Sequence, residues 1–208
     1  MEHDLANWKP ILPAEAQEIM EEATVLWWVA GGWAIDLFVG RQTRAHGDLD
    51  ILVLRRDQLV VQHHLYGWEL YAADPPGGLR PWQPGESLAR GIHDIWCRRG
   101  PAEPWAFQLM LAEDDGEDWF FRRNPRIRGR ISTLGARNRE GIPFVAPEVQ
   151  LLYKAKGLAE KDRADFAIVA PLLGDRARAW LLPALLQTYP EGHEWIEKLS
   201  TRQGGAER

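Results

Sequence analysis

Residues 31–54 read GGWAIDLFVGRQTRAHGDLDILVL, a stretch that sets two adjacent glycines, several cationic groups and two carboxylates two residues apart within one short segment. The apolar run VLWWVAGG (25–32) leads into it as a short buried strand. After the glycines, Trp33, Ile35, Leu37 and Phe38 suit one or two helical turns closed at Gly40. DLDILVL (48–54) then alternates and is rich in branched aliphatics, which predicts a strand from about Leu49 to Leu54. The period of two sends Asp48 and Asp50 to one face and Leu49 and Ile51 to the other. Two carboxylates so placed reach a common point and can hold one or two hard divalent ions, with phosphate oxygens completing the shell of magnesium. Gly31 and Gly32 let backbone N–H groups approach an anion, and the helix that follows adds its positive end. Arg41, Arg44 and His46 add charge or donors. Each feature alone has an ordinary reading, as a turn, a solvated strand edge or a structural histidine. Their order along the chain is what points to a phosphate and metal site.

Working outward, PAEAQEIMEEAT (13–24) begins with a proline suited to a helix start and predicts a helix to about Thr24. RDQLVVQHHLYGW (56–68) predicts another. WELYAA (68–73), IHDIWCRR (92–99) and WAFQLMLAE (105–113) read as strands, the last two joined as an antiparallel hairpin through GPAEP (100–104). DPPGGLRPWQPGE (74–86) is too rich in proline and glycine for regular structure and reads as a surface loop. From about residue 145 the pattern is helical, through 147–170, 176–190 and 191–200, with a frayed end at RQGGAER (202–208). The expected fold class is α/β (α+β), a mixed sheet with flanking helices over residues 1–144 and a helical C-terminal region over 145–208, with a cleft between them.

Composition narrows the function classes. The 208 residues are 45% hydrophobic, enough for a substantial core, and carry a net charge of −5, so nothing draws the whole chain to nucleic acid. No apolar run reaches the about 18 residues of a membrane span, and the leading residues lack a signal-peptide pattern, so a cytoplasmic location is expected. A single cysteine, Cys97, excludes an internal disulfide and any zinc site built on cysteine pairs.

GGWAID followed by GRQTRAHGDLDI resembles the nucleotide- and metal-binding motif of the DNA polymerase beta-like nucleotidyltransferase superfamily, and within it the aminoglycoside 2''-adenylyltransferase and lincosamide nucleotidyltransferase group. The resemblance implies that Gly31 and Gly32 hold the triphosphate tail, that Asp48 and Asp50 bind magnesium or manganese, and that Arg41, Thr43, Arg44 and His46 lie close to the phosphates. It implies a nucleoside triphosphate co-substrate, expected to be ATP. The implied reaction is in-line displacement at the α-phosphate by a hydroxyl of a small, antibiotic-like molecule, with pyrophosphate leaving. PEVQLLYKAKGLAEKDRADF (147–166) similarly resembles the K…KDxxDF stretch of minor nucleotidyltransferases. There the lysine holds phosphate and the aspartate assists chemistry, which makes Lys154 and Asp162 or Asp165 secondary candidates. Lys161, seven residues from Lys154 on a predicted helix with a bend expected near Gly157, could present a second ammonium on the same side, with Lys156 on the same helix.

Family members supply a third carboxylate from a later strand, and the residue aligned to it here is Gln108, which cannot take a proton. Asp94 on the neighbouring strand or Glu113 just past the strand end could replace it. With neither in reach, the chain would be a nucleotide-binding protein without transferase activity. Trp82, Trp96, Trp105 and Trp119 fall in or beside segments expected around the cleft, where indoles could stack on a base or acceptor, or else pack in the core. Two neighbouring stretches point to different acceptors. AEDDGED (112–118) would attract a polycation such as an aminoglycoside, whereas RRNPRIRGR (122–130) with Arg137 and Arg139 would suit RNA, or a protein acceptor in a toxin-type transferase. Base, acceptor and oligomeric state stay open at this level.

Overall fold

The strand predicted from DLDILVL forms β2 (Asp50–Leu54), in which Ile51, Leu52, Val53 and Leu54 are all buried. A strand buried on both faces belongs in the interior of a sheet rather than at its edge. In the computed structural model, which describes residues 4–201, β2 lies between β1 (Trp27–Val29), antiparallel to it, and β6 (Phe107–Asp114), parallel to it. Outward from β6 come β5 (Asp94–Arg98), β3 (Glu69–Ala72) and the two-residue β4 (Arg80–Pro81), each antiparallel to its neighbour. Outward from β1 come β10 (Pro143–Val145), parallel, and β9 (Gly135–Arg137), antiparallel. The distal end of β6 extends into β7 (Asp118–Phe120), which pairs with β8 (Arg128–Arg130). The sheet is therefore mixed, as the sequence predicted.

Seven helices accompany the ten strands among the described residues. These are α1 (Pro13–Met20), α2 (Gly31–Val39), α3 (Gln58–His64), α4 (Pro147–Lys154), α5 (Glu160–Val169), α6 (Asp175–Thr188) and α7 (Glu194–Ser200). One continuous core joins the sheet to the C-terminal helices, running from Ile51, Val53, Ile95 and Leu109 to Leu151, Phe166 and Trp195. Each fully buried aliphatic side chain in it contributes about 1.5–3 kcal/mol of transfer free energy. None of the described helices is long and apolar enough to cross a membrane.

Several expectations need adjusting. The first helix stops at Met20 rather than near Thr24. A 3-10 turn at Arg55–Asp57 precedes α3, because Arg55 turns inward to Glu113 instead of starting an exposed helix. The bend expected near Gly157 in the helix of 147–170 is a full break into α4 and α5, with Leu158 at φ 46°. The loop 74–86 is ordered by Arg80, whose guanidinium bridges Asp74 at 2.8 Å and Glu86 at 2.7 Å. Trp82, Trp105 and Trp119 are core residues, and half-buried Trp96 packs edge-on to Trp105 and Trp8, so these indoles serve packing. The segment 202–208 lies outside the described residues.

The acidic and basic stretches that pointed to rival acceptors largely cancel each other. The β7–β8 hairpin sets Asp118 opposite Arg130, and Arg128 and Arg130 pair with Asp115 and Glu117. Asp114 is taken by Arg56 at 3.1 Å. The turn between β7 and β8 keeps Arg122, Arg123 and Arg126, which have no carboxylate partner among the described residues.

Candidate active site

Strand alternation and the sheet register build the acidic side of the site. Asp48, exposed, sits just before β2, and Asp50, half-buried, opens it. Gln108 is the register partner of Asp50 across the parallel β2–β6 pair, so the two side chains share a face. On the next strand Trp96 stands opposite Gln108, which places Asp94 two residues along on that same face. The Gln108 Nε2 group donates to Asp94 Oδ1 at 3.1 Å. The carboxylate nearest the expected third position is thus Asp94, one strand over, held by the glutamine that occupies that position.

Glu113 does not join them. It lies five residues beyond Gln108 on β6, about 16 Å at the usual strand rise, and is buried against Arg55, whose Nε donates to it at 2.6 Å. Its charge is committed to a buried ion pair.

Burial, together with Asp48 and Asp94 nearby, pushes the Asp50 carboxyl up to about 7 against the pull of Lys154 and Lys161. Crowded carboxylates that resist ionisation are a donor set that a divalent cation would relieve. Among the described residues no group of three or more His, Cys, Asp and Glu side chains is arranged to hold a metal by itself. Magnesium or manganese would accordingly rest on Asp48 and Asp50, with non-protein oxygens completing the shell, which fits the chemistry of these hard ions.

The glycine pair is explained by crowding as well as by anion approach. Gly31 sits at φ +66°, and a Cβ there would collide with the Asp50 carboxylate. A Cβ on Gly32 would collide with Arg44 and His46. The Gly31 N–H is taken by Gln150 Oε1 at 2.9 Å. The N–H groups of Gly32 and Trp33, in the first turn of α2, have no partner among the described residues and present the positive end of that helix.

Opposite the aspartates stands a cationic wall. A cleft of about 340 Å³ is lined by both glycines, Asp48, Asp50, Met110, Gln150 and Tyr153, with Arg44, Arg122, Arg123, Lys154, Lys156 and Lys161 around it. Arg44 donates from Nε and Nη2 to Asp165 at 3.1 and 3.2 Å. Lys154 reaches the same carboxylate at 2.8 Å and Asp162 at 3.1 Å. Burial opposes the Asp165 charge, but Arg44 and Lys154 outweigh it and hold the carboxyl below its ordinary range. Asp165 and Asp162 are thus the carboxylate partners of Arg44 and Lys154. Arg122, Lys156 and Lys161 have no hydrogen-bond or ion-pair partner among the described residues.

Three residues expected at the phosphates point elsewhere. Thr43 gives its backbone N–H and its hydroxyl to Asp36 Oδ1, at 3.0 and 2.5 Å. His46 turns inward, with Nε2 2.5 Å from Asp36 Oδ2. Arg41 lines a separate groove of about 650 Å³, beside Arg137, Arg139, Phe38 and Phe144, which shares no lining residue with the cleft. Conversely, Gln150 and Asp36 did not emerge as site residues from the sequence, and Arg122 and Arg123 entered only within the basic stretch read as an RNA-type acceptor surface. Gln150 lies four residues before Lys154 on one helix face, and Asp36 is a lone carboxylate in the apolar WAIDLFV; both are local signals of a buried partner.

Residues 14–68, which include both glycines and both aspartates, match the family described as aminoglycoside-2''-adenylyltransferase. The lincosamide antibiotic adenylyltransferase LnuA, in its lincomycin-bound crystal structure, is similar at 18% identity and a TM-score of 0.53, over 77% of this chain and 95% of that one. The antibiotic-resistance factor ANT(2'')-Ia in solution is similar at 16% identity and a TM-score of 0.56, over 91% and 95%. The same factor in complex with adenylyl-2''-tobramycin gives 16% and 0.54, over 84% and 95%. No curated protein matches at a significant level. At these identities the structural likeness is one of fold, and the chain has the mixed-sheet nucleotidyltransferase fold. The family match and the structural neighbours together support the nucleotidyltransferase group read from the sequence.

Proposed function

We propose that this chain transfers a nucleoside monophosphate, AMP, from magnesium-bound ATP to a hydroxyl of a small antibiotic-like molecule. The observation that carries the proposal is the meeting, in one cleft, of the Asp48 and Asp50 carboxylates with the start of α2 and a wall of cations from three separate segments. The aspartates would hold magnesium or manganese, which when bound neutralises charge on the triphosphate and its reacting oxygens. Arg44, Lys154 and Lys161 take the phosphates, with Arg122 and Arg123 beyond the expected set, and the unclaimed N–H groups of α2 add donors. Arg44 and Lys154 each retain donor capacity after their bonds to Asp165.

Asp94 is our candidate for the proton acceptor. As the acceptor oxygen bonds to the α-phosphorus and pyrophosphate departs, the hydroxyl proton would pass to Asp94, whose Oδ1 is held by Gln108. Residues 1–144 would supply the carboxylates and glycines, and residues 145–208 the lysines. A small-molecule acceptor is the reading supported by the family match and the structural neighbours, while Arg128 and Arg130 of the basic stretch pair with Asp115 and Glu117. The relatives' acceptors, lincomycin and tobramycin by their descriptions, set the panel to try.

The test is incubation with magnesium and each α-labelled nucleoside triphosphate, against aminoglycosides, lincosamides and bulk tRNA, beside the Asp48→Ala/Asp50→Ala double variant. Label should move from ATP to a small-molecule acceptor only with the intact pair. Binding without transfer across the panel would favour a site inactivated by Gln108, and label on tRNA would favour the RNA acceptor.

A further inference from the structure

The loop between α2 and β2, residues 40–49, carries Arg44 and Asp48 into the cleft with no regular structure of its own. Its internal bonds, Gln42 Nε2 to the Arg44 carbonyl at 2.9 Å and Arg44 Nη1 to the Ala45 carbonyl at 3.1 Å, span only close neighbours, and Arg44 ties it to α5 through Asp165, so something further must seat it against α2. The structure shows what does. Asp36, 4% exposed on the inner face of α2, accepts three bonds, all from this loop: the Thr43 N–H, the Thr43 hydroxyl and His46 Nε2. The His46 side chain is 2% exposed and lies against Trp33 with ring centroids 4.4 Å apart. Its other edge, at Nδ1, fills the space a Cβ on Gly32 would need.

We infer that Asp36 and His46 form a latch that seats the 40–49 loop on α2, and so sets where Arg44 and Asp48 meet a nucleoside triphosphate. The inference rests on the nucleotidyltransferase reading and gives His46 a different part in it. His46 is a positioning residue, held away from the phosphates, and Gly32 is small so that the latch can close beneath the phosphate-binding turn. The motif thus ties its two ends together: Asp36 lies on the helix that offers N–H groups to the anion, and His46 stands two residues before the first metal-binding aspartate. A buried carboxylate whose bonds all go to one loop couples the members of that loop, so the loss of one partner should release the others.

The experiment is calorimetric titration of magnesium and ATP into the full chain, with thermal melting of each variant alongside. Asp36→Ala and His46→Ala should each weaken nucleotide binding about tenfold, the range seen when a partner of a metal ligand is removed. The double variant should bind no more weakly than the worse single, because the latch is already open. His46→Gln, whose amide can still donate to Asp36, should stay within about threefold of wild type. In steady state, KM for the triphosphate should rise while KM for the acceptor holds. Thr43→Val, which keeps the backbone N–H, gives a milder version should an alanine variant fail to fold, with about threefold weaker binding expected. Folded variants that bind as wild type, or single losses that multiply in the double, would overturn the latch. Absence of binding by the wild type would overturn the underlying functional reading instead.

Discussion

Asp50 is the residue on which the account turns. A carboxyl with an ordinary value near 3.8, pushed up to about 7 by burial and by its acidic neighbours, keeps its proton in the folded chain over a range where the unfolded chain has lost it. Between those values the folded state binds more protons than the unfolded, so this contribution to stability is present near pH 4, is lost as pH rises to about 7, and is constant above. Metal-free wild-type protein should therefore lose melting temperature, relative to Asp50→Asn, as pH rises from about 4 to about 7. Parallel melting curves for the two proteins across that range would contradict the placement of Asp50. The pair itself was legible in the sequence because strand alternation is a local rule. Glu113 misled because its partner Arg55 lies 58 residues away, and an ion pair at that distance leaves no local pattern. Gln108 was legible as a departure, but its bond to Asp94 depends on strand register, which only the assembled sheet fixes.

At the scale of elements, α5 shows how the helical region reaches into the site. Its Asp165, 1% exposed, lies between Arg44 from the 40–49 loop and Lys154 from α4, and so joins three segments through one carboxylate. Removing one member of such a buried group leaves the others uncompensated, at a cost of about 3 kcal/mol. Asp165→Ala should lower stability by about that amount in urea unfolding and weaken nucleotide binding at the same time. A variant as stable as wild type would mean that the bridge is solvated and unimportant. The helix pattern of 147–170 was readable from its apolar spacing, and the break at Gly157 allows α5 to turn back so that Asp165 meets Lys154. The pairing with Arg44, 121 residues away, leaves no local pattern and was not readable.

Over the whole molecule, what separates the cleft is the meeting of unpaired cations with a pair of aspartates. The net charge is −5, and many arginines outside the cleft are bound to carboxylates, as in the β7–β8 hairpin. Arg122, Lys156 and Lys161 have no side-chain partner among the described residues and stand around one 340 Å³ cleft that also holds the exposed Asp48. The larger groove of about 650 Å³ also carries arginines, Arg41, Arg137 and Arg139, but offers no pair of aspartates to a metal. These two concavities give the location of the nucleotide a direct test. Crystals grown with manganese and α,β-methylene-ATP, a non-transferable analogue, would show the metal by its anomalous scattering. The account predicts a manganese peak at Asp48 and Asp50, with the triphosphate against Arg44, Lys154 and the start of α2. A nucleotide seated in the Arg41 groove, or bound in the cleft with no metal at the aspartates, would contradict it.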